Sequence, residues 1–177
     1  MVDNKEFLFK GAMYYGFILG LYWAFKYIFF IISLYISSFY LIFIGMSLAV
    51  PFIAGYLTLK YKEKIGGFIR FSHAWQFGVW LYFFAALIVS IEHFIFYQYI
   101  APPDFIKESL EQTMNLLKDY KPAIQATEAI EQIDIRPISL TIQGIFNNIF
   151  YGIILSIPVA FFVSKHNNNT SSQQTNI

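Results

Sequence analysis

The chain contains no cysteine. That excludes disulfides, a thiolate nucleophile, iron–sulfur or cysteine-type zinc ligation and an acylated lipoprotein cysteine, and it leaves the redox compartment unread. Charge is scarce as well. Charged residues are 13% of the 177, against about 25% in a typical soluble domain. The formal net charge is only +1, so nothing marks nucleic acid or another strongly charged partner. What fills the space is apolar and aromatic: 57% hydrophobic residues, 21 Phe, 13 Tyr and a mean hydropathy of +0.52. Such a chain is expected to be an integral membrane protein whose first partner is the lipid bilayer.

Four apolar runs carry this reading, at about 11–32, 39–59, 74–97 and 138–163. At ~1.5 Å per residue each is long enough for a ~30 Å hydrocarbon core. The expected fold is an all-α membrane protein, a single four-helix transmembrane domain over 1–166. Ser33 to Ser38 leaves room only for a tight turn, which makes the first two spans a helical hairpin. The opening Met1-Val2-Asp3-Asn4-Lys5-Glu6 mixes both charges and no small-residue cleavage pattern closes the first run. That run is expected to stay as a span.

Orientation follows from Lys and Arg. The N-terminus (Lys5, Lys10), the central stretch (Lys60, Lys62, Lys64, Arg70) and Lys165 hold seven, while the opposite side holds four: Lys107, Lys118, Lys121 and Arg136. The excess places both termini and the central stretch in the cytoplasm of a bacterial inner membrane. The insert 101–137 then lies outside. Within it, Pro102-Pro103-Asp104 reads as a stop followed by a helix start, and Ile106, Leu110, Thr113/Met114 and Leu117 recur at helical spacing. A helix is expected over 104–120, with a second, weaker one after Pro122. The polar tail 167–177 is expected to be disordered.

Several segments together carry a resemblance. They are the glycine-containing first span, the Tyr61–Phe71 connector with Gly66-Gly67, Phe71-Ser72-His73-Ala74-Trp75-Gln76-Phe77-Gly78, and Tyr99-Ile100-Ala101-Pro102-Pro103-Asp104-Phe105. In these the chain resembles the bacterial four-span membrane proteins catalogued as a domain of unknown function. The resemblance covers nearly the whole chain. It implies fold and location, and it implies no activity.

Two rows of small residues are the clearest organised signal. Ala12, Gly16, Gly20 and Ala24 recur every four residues in the first span, and Gly144, Asn148, Gly152, Ser156 and Ala160 do so in the fourth. Such spacing lets helix backbones approach closely. The rows are expected to be packing faces, toward each other or toward another protomer, and Gly78 is expected to tolerate bulk better than Gly16 or Gly152.

Lys26 and Glu92 are the formal charges well inside spans, at similar depth. They read either as a mutual pair or snorkelling groups, or as an ion or proton site. His93 lies about 100° from Glu92 on a helix, so the two make no ligand pair. Gln143, Asn147 and Asn148 call for interhelical hydrogen bonds or a wet cavity. His73 and Gln76 read as interfacial anchors beside Trp75, or as a proton or metal site. Pro51 and Pro158, at matching depth, point to helix kinks around a cytoplasm-facing cavity. No catalytic constellation, metal cluster or cofactor motif is present in the sequence. The expectation is a non-enzymatic scaffold or accessory subunit, partnered by a second copy of itself or another membrane protein, with a small oligomeric transporter or channel as the alternative.

Overall fold

The computed structural model describes residues 5–102, 104–117 and 136–165. Four long helices dominate: α1 (Lys5–Ser33), α2 (Phe39–Lys64), α3 (Phe71–Ile95), and α5 (Pro137–Lys165). A π-helical turn, Phe96–Ile100, prolongs α3, closed by the bond from the Ala101 N–H to the Phe96 carbonyl at 2.8 Å. A shorter helix, α4 (Phe105–Leu117), follows it. No strand occurs among the described residues. Each long helix is long and apolar enough to cross a membrane. All of them run past the expected apolar runs, because polar residues such as Lys62 and Ser72 continue the helical bonding beyond the apolar stretch.

The helix α3 is the centre of the bundle. It packs most extensively on α5 and α1, whereas α2 is held more loosely, by α1 and α5. The helices α1 and α3 share a direction, with Gly16 against Leu81 and Phe84 and Gly20 against Ala85 and Ile88. The helix α5 runs the other way, so that Gly144 meets His93, Gly152 meets Tyr82 and Ser156 meets Gly78. Both small-residue rows are thus packing faces, but they face neither each other nor another copy. Both face α3. The same geometry corrects the expectation for Gly78, since a Cβ there would run into the side chain of Ser156. Ala12 and Ala160 are fully buried, while Ala24 is only half-buried at the end of its row.

The bundle has a basic end, carrying Lys60 to Arg70 and Lys165, and a far end, carrying the Ser33–Ser38 turn and Arg136. At the basic end α2 closes on Gly66 and Gly67, both at positive φ (103° and 81°). The Gly66 N–H donates to Glu63 O and the Gly67 N–H to Lys62 O, a Schellman closure that a side chain on either residue would strain. At the far end, Phe105 sets the start of α4 against Phe30 (6.3 Å between ring centres) and Phe96 (5.4 Å). Of the helix expected over 104–120, Phe105–Leu117 is present as α4, with Ile106 half-buried, and 118–120 lie outside the described residues. The helix expected after Pro122 and the tail 167–177 lie outside the described residues.

Candidate functional site

Two layers of polar side chains interrupt the apolar bundle. The first is near the far end. Lys26, half-buried, donates from Nζ to Ser47 Oγ on α2 at 3.1 Å. Its ammonium also lies 5.2 Å from the Phe43 ring centre and 5.7 Å from that of Trp23, within reach of cation–π attraction. Ser47 in turn donates to Phe43 O at 2.8 Å.

Lys26 and Glu92 form no ion pair. The ion pairs among the described residues are Lys10–Glu6 and Lys60–Glu63. The helix wheel gives the reason. Tyr27, one residue on, takes the position facing α3 and packs on His93 at 4.5 Å, which turns Lys26 about 100° away toward α2. Glu92 keeps one buried carboxylate oxygen, Oε2, with no hydrogen-bond partner. Gln143 and Asn147 are exposed on the outside of α5 and Asn148 is half-buried. Interhelical hydrogen bonds from these amides, the expected use, are not formed among the described residues. Nor do three His, Asp or Glu side chains gather there as a metal site would need.

The second layer, at the basic end, was largely missed by sequence reasoning. Tyr61 is fully buried, with its ring stacked on Phe77 at 4.0 Å and 7°. Its hydroxyl meets His73 Nε2 at 2.8 Å, so His73 is bonded into the core and not merely an interfacial anchor. Gln76 is exposed. Lys62, only 6% exposed, donates to Val163 O at 3.2 Å and so caps the last turn of α5, where unpaired carbonyls and the helix dipole favour a cation. A signal for both was present. The buried stripe Val50, Ala54, Leu57/Thr58, Tyr61/Lys62 keeps helical spacing straight through the basic stretch.

The two prolines share a device. Each withholds an N–H from its helix and pushes against the carbonyl four residues back. Five residues before Pro51, Met46 O accepts from the Tyr22 hydroxyl at 2.8 Å. Five residues before Pro158, Ile153 O accepts from Trp75 Nε1 at 3.1 Å. At both prolines an aromatic side chain of the neighbouring helix fastens a carbonyl one residue before the one that loses its partner.

A family model described as a protein of unknown function (DUF4199) matches residues 14–165. The chain belongs to this family. The match takes in the Gly66-Gly67 connector, the Phe71–Gly78 stretch and the Tyr99–Phe105 stretch, so the family resemblance read from them holds. No curated protein and no solved structure matches the chain. Membership in DUF4199 assigns no chemistry.

That geometry separates the fates of Lys26 and Glu92. Lys26→Met combined with Glu92→Gln should give additive losses of stability, the coupling staying below about 0.5 kcal/mol. Lys26→Met combined with Ser47→Ala should couple by about 0.5–1.5 kcal/mol, the scale of interhelical hydrogen bonds in membranes. Unfolding of the four proteins of each cycle in mixed detergent measures both. A strong Lys26–Glu92 coupling would contradict the placement of Lys26.

Proposed function

We propose that the protein is a non-catalytic membrane scaffold or accessory subunit of the bacterial inner membrane. In this reading the basic end and both termini are cytoplasmic and α4 lies on the opposite side, where it is offered to a partner. The supporting observation is the seating of α4. Phe105 pins its first turn between Phe30 and Phe96, while Lys107, Glu108 and Glu111 are exposed. A charged helix tethered to the bundle through Phe105 is a surface that suits recognition of a partner.

A second reading has one observation in its favour. The buried, unpartnered oxygen of Glu92 is what an ion or proton path in an oligomeric transporter or channel would use, with Lys26, Asn147 and Asn148 nearby in depth.

One experiment addresses the first reading. A cysteine at Glu111 should react with an impermeant thiol reagent in intact cells, and one at Glu63 should not. A photocrosslinker at Glu111 should give a single discrete adduct, and the same probe on lipid-facing Leu48 should give none. Labelling at Glu63 would reverse the orientation, and equal crosslinking at both positions would remove the scaffold role.

A further inference from the structure

A cleft of about 550 Å³ opens between α2 and α5, lined among others by Pro51, Gly55, Tyr56, Leu59, Pro158 and Phe162. Its walls are almost wholly apolar. The volume falls within the ~300–1,000 Å³ of small-ligand sites, and an apolar cavity of this kind does not hold ordered water. Gly55 makes part of the floor. A Cβ added there would meet nothing nearer than Val159 Cγ1 at 4.0 Å, so the missing side chain leaves real space.

The basic end of the cleft supplies the second observation. Val163 lines the cleft, and its carbonyl is the acceptor for the buried ammonium of Lys62. An ammonium has three protons to donate, and no carboxylate of the described residues lies within ion-pair distance of this one. The C-terminus of α5 offers only about half an elementary charge in compensation. Lys165, two residues on, brings a further cation, its Nζ 5.8 Å from the Phe161 ring centre. A buried cation short of a full counter-charge thus stands where an apolar cleft ends.

We propose that this cleft binds a phospholipid with an anionic headgroup, one acyl chain lying between α2 and α5 and the phosphate meeting Lys62 and Lys165. The lengths agree. From Lys62 to Pro51 the helix rises ~16 Å at ~1.5 Å per residue, and one leaflet supplies ~15 Å, half of a ~30 Å core. Basic pockets between membrane helices take anionic lipid headgroups for the same electrostatic reason. The looseness of α2 against its neighbours then has an occupant, since lipid fills the space that the missing side chain of Gly55 leaves.

The test uses the full chain in detergent, titrated with phosphatidylglycerol or with phosphatidylcholine of the same acyl chains, and read by native mass spectrometry. The wild type should prefer phosphatidylglycerol about tenfold. Gly55→Phe, which fills the floor, should lower retention of both lipids about tenfold while melting within a few degrees of the wild type. Should Gly55→Phe not fold, Gly55→Leu serves the same comparison. Lys62→Gln keeps a donor for Val163 O and should reduce phosphatidylglycerol to the phosphatidylcholine level. Equal binding of the two lipids by the wild type would overturn the proposal. So would unchanged binding by the filled variants, or a dimer that only the filled variants lose, which would make the occupant a second copy.

Discussion

Gly16→Leu is expected to abolish most of the folded yield, while Gly45→Leu leaves it intact. A Cβ at Gly16 would stand 2.6 Å from Phe84 Cβ and 2.9 Å from the Leu81 carbonyl oxygen, a backbone atom that cannot swing aside. At Gly45 nothing lies within 4 Å. The first replacement therefore prises α1 from α3, and overpacking of this sort costs about 1–3 kcal/mol or more. Between membrane helices the loss is felt in full, because close packing itself holds them together in lipid. Gly152→Leu and Gly78→Leu should behave like Gly16→Leu, since each would drive into the opposite helix of the α3–α5 pair. Fluorescence-detected size exclusion, followed by thermal melting, reads all four. Similar melting of Gly16→Leu and Gly45→Leu would mean that α1 does not lie where we place it.

Tyr61→Ala should be the most damaging truncation at the basic end. Its ring fills the space between Phe77 and Gly11, and its loss would leave a void there. Large-to-small changes of aromatic residues cost about 3–5 kcal/mol in soluble cores, and about 2–4 kcal/mol is expected here, because lipid weakens the transfer part of that cost. Tyr61→Phe keeps the stack on Phe77 and removes the hydroxyl's contact with His73, worth about 0.5–1.5 kcal/mol. Equal losses for the two variants, in unfolding by mixed detergent, would assign the role of Tyr61 to its hydroxyl and not its ring.

How much of this was legible beforehand depended on the kind of signal. The four membrane-capable helices follow from length and hydropathy, which are properties of single segments. The small-residue rows were also visible as packing faces, since a four-residue period is written into one helix. Which helix they pack against was not, because that is a relation between segments with no local trace. Gly78 shows the cost. It belongs to no row and looked expendable, yet it faces Ser156 because α3 must present a shallow surface where α5 crosses it. Lys62 was read for its charge alone. Its burial at the end of α5 depends on a helix about a hundred residues further along the chain. Lys26 was half legible: its depth relative to Glu92 was right, and its partner was set by the neighbouring Tyr27.

The shared direction of α1 and α3 bears on how the protein is made. A chain emerges from the ribosome N-terminus first, so α1 and α2 exist before the surface that α1 fits. Their own seam is less extensive than that of α1 with α3, and includes Tyr22 with Met46, Lys26 with Ser47, Phe29 stacked on Phe39 and Tyr61 against Gly11. The glycine face of α1 must therefore wait in lipid, bare, until α3 has been synthesised and delivered beside it. The Gly66-Gly67 turn performs that delivery, reversing the chain so that α3 enters alongside α1. Only then does α5 find a second side of α3 to cover. Assembly of this bundle is ordered by the arrival of its third helix, and the first one is built to be patient.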